Sequence, residues 1–219
     1  MLERAVILAS DSLYSDSLTR RPLPGLGLKV FPLTRNCAAV IAGHVKSARD
    51  ALRETKRCME QLDETLNWER FAAIVHDCFE VTPTEHIVEC LIGICPLRGE
   101  PIILKMSSQS SIRFEPVIAQ WHEEIGVGPD TRQAFCQLME DRTRLGGVTP
   151  NSPSGMALRV VEALQSTIKT HPKYIGEPVQ ALIITREGLR ITAAFDIAPA
   201  DDITITRITP PQDWAPGPP

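Results

Sequence analysis

The 219 residues include 23 basic and 27 acidic side chains, a formal net charge of −4, and 43% are hydrophobic, 23% charged and 5% aromatic. Such a chain can bury a core, which excludes disordered, collagen-like and coiled-coil proteins. No Lys/Arg run offers a footprint for a phosphate backbone and no stretch approaches the ~18 apolar residues of a membrane span, so neither nucleic acid nor membrane is expected as a partner. Met1 to Arg4 and the short apolar run behind them do not make an export signal, and the expected location is the cytoplasm. One domain over residues 1–208 is expected, with a tail at 209–219 that holds five prolines in its last ten residues.

Ala5 to Ala9 is continuously apolar and ends at Ser10-Asp11-Ser12, the pattern of a strand buried on both faces that runs into a turn. Ser12 to Gly27, with Pro22, Pro24 and Gly25, reads as a loop leading to a strand over Leu28 to Leu33 that contains Lys29. Ala38 to Ala42 is a second buried run, stopped by Gly43-His44, where a backbone without a Cβ permits close approach. The three runs are expected to pair in one sheet. A helix follows over Val45 to Leu62, because Val45, Ala48, Leu52, Thr55, Met59 and Leu62 share one face and the charged residues fill the other.

Trp68 to Phe79 reads as a second helix. Ile87 to Cys95 and Pro101 to Met106 read as two strands of a hairpin across Leu97-Arg98-Gly99-Glu100. Asp130 to Gln133 has the spacing of a capping box that opens a third helix through about Arg142, and Ser152-Pro153 starts a fourth that ends at His171-Pro172. Val179 to Thr185 and Leu189 to Phe195 are two further strands, and Ile203 to Ile208 is an edge strand. Strands and paired helices in this order, with several hairpins, disfavour a doubly wound sheet and point to an α+β fold, a four-layer αββα sandwich.

Cys37, Cys58, Cys78, Cys90, Cys95 and Cys136 contain no CxxC pair and read as buried thiols; the spacing of His86, Cys90 and Cys95 fits no zinc knuckle or ribbon. His76 with Glu80 and His86 with Glu89 sit at helical ligand spacing, but they read as solvated faces. No metal and no cofactor is expected. Gly126-x-Gly128 before the third helix is a weak candidate for binding an anion.

Val6 to Ser12, Lys29 to Leu33 and Ala38 to Gly43, followed by Ile125 to Gly128 and by Ile175 to Pro178 through Ile184 to Gly188, resemble the β-type proteasome subunits and their bacterial relatives, which are N-terminal nucleophile (Ntn) hydrolases. The resemblance covers residues 5 to about 195. It implies the αββα sandwich, threonine-type peptidase chemistry, and assembly with copies of the same chain into a ring or stacked helix. In that chemistry the first residue supplies both a hydroxyl and the amine that takes its proton. Asp11 and Lys29 fall on the family's aspartate and lysine, and Gly43 on the glycine of its oxyanion hole.

The departures are as informative. The resemblance puts the nucleophile upstream of Met1, and neither Met1 nor Leu2 has a nucleophilic side chain. Val127 and Pro129 stand where the family has serines, and Pro172 or Lys173 near its second aspartate. The retained residues also have plain roles: Asp11 capping a turn, Lys29 reaching a sheet edge or pairing with Asp11, and Gly43 serving backbone fit. The expectation is a self-assembling subunit that is non-catalytic as given. The alternatives are a peptidase whose true start lies upstream and a small-ligand module on the same scaffold, at Gly126 and Gly128.

Overall fold

A computed structural model describes residues 5–13, 27, 29–59, 68–81, 87–108, 114–117, 129–145, 152–172, 175–176 and 179–193. Within them the chain runs β1 (Val6–Ser10), β2 (Val30–Thr34), β3 (Cys37–Gly43), α1 (Val45–Met59), α2 (Trp68–Glu80), β4 (Val88–Ile94), β5 (Ile102–Ser107), β6 (Phe114–Val117), α3 (Pro129–Leu145), α4 (Pro153–Thr170), β7 (Gln180–Ile184) and β8 (Leu189–Ala193). The strands form a five-stranded sheet in the order β2-β3-β4-β5-β6 and a three-stranded sheet in the order β1-β7-β8. Every pairing is antiparallel.

Alternation along β3 shows how the layers stack. Cys37, Ala39 and Ile41 join a core with Ala48, Ala51 and Leu52 of α1 and Phe71, Val75 and Phe79 of α2. Ala38 and Val40, on the other face of the same strand, pack with Val6 and Leu8 of β1 and Leu182 and Ile184 of β7. A strand can lack polar positions only when both its faces are covered, and β3 is covered by helices on one side and by a second sheet on the other. The three-stranded sheet turns Ala181 outward against Val161, Leu164 and Ile168 of α4. The layers are α1 and α2, the five-stranded sheet, the three-stranded sheet, then α4 with α3 against it. This is the αββα sandwich. The two sheets meet closely at Gly93, where a Cβ would lie 2.7 Å from Ile184 Cδ1 and from Val6 Cγ1.

One expectation is overturned. β1 does not share a sheet with β2 and β3; it pairs with β7, Val6 opposite Ile184 through Ser10 opposite Gln180. Two-face burial marks a strand as interior without naming its neighbour. The nearness of β1 to Val30, Ala38 and Val40 is face to face across the inter-sheet core, not edge to edge.

Smaller differences have local causes. α3 begins at Pro129, so Asp130 lies in its first turn and is not the cap; a proline fits the first helical position because it has no N–H to leave unbonded. β6 has no counterpart in the sequence reading. The strand at Ile203 to Ile208, the proline-rich tail, and Gly126 and Gly128 lie outside the described residues. Among the described residues no helix is long and apolar enough to cross a membrane.

The fourth helix starts as its sequence indicates. Ser152 has extended backbone at φ −141° and ψ 152°, and its Oγ accepts a hydrogen bond from Gly155 N at 3.1 Å, with Pro153 next in the chain. Ser152→Ala is expected to cost about 1 kcal/mol, because the cap satisfies an N–H that the helix cannot bond internally. Denaturant unfolding checks this: Ser152→Asp, which keeps an acceptor, is expected to stay near wild type, and equal losses in both variants would rule out the capping account.

Candidate functional site

The site lies where β1 and β3 end and β2 and β7 begin. Asp11 follows the last residue of β1 and is 9% exposed. Its Oδ1 accepts from Lys29 Nζ at 2.7 Å, and the two side chains are 11% and 14% exposed. Its Oδ2 accepts from Leu13 N at 3.0 Å and from Gly176 N at 3.1 Å. The bond to Leu13 is the Asx turn expected of an aspartate just after a strand. The turn-capping role and the pairing with Lys29 are thus both realised, one by each oxygen.

Lys29 precedes β2 and is held there by groups the sequence reading did not single out. Gln180, the first residue of β7 and 4% exposed, accepts from Lys29 N at 3.0 Å and from Val30 N at 3.2 Å through Oε1. Its Nε2 donates to Gly27 O. A single buried amide therefore ties the three-stranded sheet to the first residues of β2, and so fixes where the Lys29 ammonium starts. Gly176 acts through its backbone: it donates to Asp11 and its carbonyl accepts from Ser12 N at 3.1 Å. Ser12 in turn accepts from Gly27 N at 2.8 Å. The Ser12 side chain is 1% exposed, and its Oγ has no hydrogen-bond partner among the described residues. The sequence signal for Gln180 was a lone polar residue between Val179 and Ala181 in an otherwise apolar strand; a backbone donor such as Gly176 leaves no such mark.

Gly43 closes β3 with φ +83°, and a Cβ there would lie 2.2 Å from Ile87 O. That oxygen accepts from His44 N at 2.9 Å, and His44 Nδ1 and Ser47 Oγ are 2.8 Å apart. Ile41 N donates to Lys29 O at 3.1 Å, so Lys29 lies across from Ile41, two residues before Gly43 on the neighbouring strand. The three residues singled out in sequence thus come to one end of the sandwich, two of them in contact. Chemically, the arrangement is an ammonium held by a carboxylate that is itself fixed by backbone N–H groups.

Elsewhere, His76 lies on α2 with Nε2 3.6 Å from Glu80 Oε1 and Nδ1 3.6 Å from Asp77 Oδ1. Each ring nitrogen thus faces a different, exposed carboxylate. None of the six cysteines is in a disulfide; Cys37, Cys78, Cys90 and Cys95 are buried, whereas Cys58 and Cys136 are only half-buried. Burial pushes the Cys37 and Cys90 thiols well up, with nearby Cys90 adding to the effect on Cys37.

No protein-family model and no curated protein matches the sequence. Among solved structures, the chain is similar to an Anbu (Gly-1) mutant from Hyphomicrobium sp. strain MC1, with a TM-score of 0.60 and 17% identity over 88% of this chain and 82% of that one. The likeness is one of fold, to a protein of the proteasome-like, Ntn-hydrolase type.

Proposed function

We propose that this chain is a cytoplasmic, self-assembling subunit of the proteasome-like type, in which Asp11 and Lys29 form a structural tie and no peptide is turned over. The observation that carries this reading is the full engagement of Asp11: one oxygen holds the Lys29 ammonium and the other holds the N–H groups of Leu13 and Gly176. A carboxylate so placed joins the ends of β1, β2 and the segment before β7. The side chains at three further positions also support the reading. Pro129 opens α3 and Val127 precedes it where the resemblance calls for hydroxyls, and Pro172 or Lys173, after α4, stands near where it calls for a second carboxylate.

A second reading is a threonine-type peptidase that receives its nucleophile from residues preceding Met1, with Lys29 and Asp11 setting the electrostatics and Gly43 contributing to an oxyanion hole. The observation in its favour is the convergence of Lys29, Asp11 and the positive-φ Gly43 at one end of the sheets. One set of measurements separates the two. The 219-residue chain is expected to leave short fluorogenic peptides uncleaved and to scatter light as a multiple of 24.2 kDa at tens of micromolar protein. Turnover by the 219-residue chain would overturn the non-catalytic reading, and a monomeric mass would overturn self-assembly. A chain extended to expose a threonine gains Lys29-dependent activity only under the second reading.

A further inference from the structure

The outer layer formed by α1 and α2 carries its charge unevenly. α1 has five basic side chains against two acidic, and α2 has three acidic against one basic. Both α1 carboxylates are engaged within their own helix, Asp50 by Arg53 at 3.3 Å and Glu54 by Arg57 at 2.7 Å, so the solvent-facing side of α1, where Lys46 and Lys56 are exposed, is positive. At the C-terminal end of α2, Asp77 and Glu80 are exposed, and Val81, one residue beyond, is 74% exposed. Ile87, 51% exposed, lies at the rim of the same layer, because its carbonyl accepts from His44 N just ahead of α1. A solvated helix face mixes both signs along its own length. Here the signs separate between two packed helices, with exposed apolar side chains beside them.

From this separation we infer that the α1 and α2 face docks a second copy of this chain about a two-fold axis, the basic face of α1 in each copy meeting the acidic end of α2 in the other. The contact presupposes the self-assembly proposed above and gives it a surface. A face with a positive half and a negative half is self-complementary under a two-fold rotation, which lays each half on its opposite and makes both contacts at once. A partner of one charge sign would be attracted by one half and repelled by the other. The whole chain carries a net charge of −4, so two copies repel unless opposite patches face each other. Val81 and Ile87 supply apolar area for the contact to remove from water, and the charges fix its register and orientation more than its affinity.

Charge reversal on the full chain tests the contact. Sedimentation equilibrium compares the wild type, the variant Lys46→Glu with Lys56→Glu, the variant Asp77→Lys with Glu80→Lys, and an equimolar mixture of the two variants. All four substituted side chains are exposed, and circular dichroism checks that each variant keeps the fold. Each variant alone sets like charges against each other at both contacts and is expected to associate at least about tenfold more weakly than the wild type. The mixture is expected to return to wild-type affinity, since the acidic α1 of one variant meets the basic α2 of the other and the two unchanged patches also meet. Added salt is expected to weaken the wild type and the mixture but not the separate variants. Wild-type affinity in both variants, or a mixture no tighter than either variant alone, would overturn the docking surface and leave self-assembly standing. A monomeric wild type would overturn both.

Discussion

Asp11→Ala is expected to destabilise the fold by about 3–5 kcal/mol, the range for removing one partner of a buried ion pair. The substitution acts on three groups at once. It takes the carboxylate from a Lys29 ammonium whose side chain is only 14% exposed, and it removes the acceptor of two backbone N–H groups, on Leu13 and Gly176. Each orphaned N–H costs about 1–3 kcal/mol if water cannot reach it, but the three losses share one site and do not add in full. Two milder variants divide the effect. Asp11→Asn keeps an acceptor and loses the charge, and Lys29→Met keeps both backbone bonds while leaving a carboxylate still held by N–H groups. Both are expected to cost less than Asp11→Ala, and the double variant Asp11→Asn with Lys29→Met less than the sum of its parts. Chemical denaturation measures all four. If Asp11→Ala costs under about 1 kcal/mol, the carboxylate is not the tie proposed here.

Much of this arrangement is legible in the sequence because burial on both faces leaves an unmistakable trace. The apolar runs at Ala5 to Ala9 and Ala38 to Ala42 can exist only where helices or a second sheet cover each side, and an aspartate ending one run and a glycine ending the other mark the same end of the sandwich. What the runs do not carry is the identity of the neighbour, and for that reason β1 was expected beside β2 and β3 when it lies across from them. β6 escaped notice for another reason: Pro116 argues against a central strand, yet among the described residues β6 is the last strand of its sheet, the position where proline is tolerated. The supports of the site are harder still to read. Gln180 bridges 151 positions of sequence to reach Lys29, and Gly176 spans 165 to reach Asp11, contacts that only the folded topology brings about.

Gly43→Ala is expected to cost about 2–4 kcal/mol, more than Gly93→Ala, although both glycines lack room for a Cβ. The difference lies in what the new methyl meets. At Gly93 it runs into side-chain atoms, Ile184 Cδ1 and Val6 Cγ1, which can give by small shifts of the side chains without breaking a backbone hydrogen bond. At Gly43 it would stand 2.2 Å from Ile87 O, 3.0 Å from Ile87 C and 3.3 Å from Val88 Cα, all backbone atoms of the strand entry paired with it. Backbone cannot yield without breaking the bond from His44 N to Ile87 O, just before α1, and the φ of +83° adds the left-handed cost of about 1 kcal/mol for an alanine. The strain also falls next to the site, since opening the end of β3 shifts the strand whose Ile41 N donates to Lys29 O. Hydrogen exchange gives the local readout: the amides of His44 and Ile41 are expected to lose protection in Gly43→Ala and to keep it in Gly93→Ala. Equal stability of the two variants, with protection unchanged at His44, would mean that the turn after β3 absorbs a side chain and that Gly43 is not held there by its backbone.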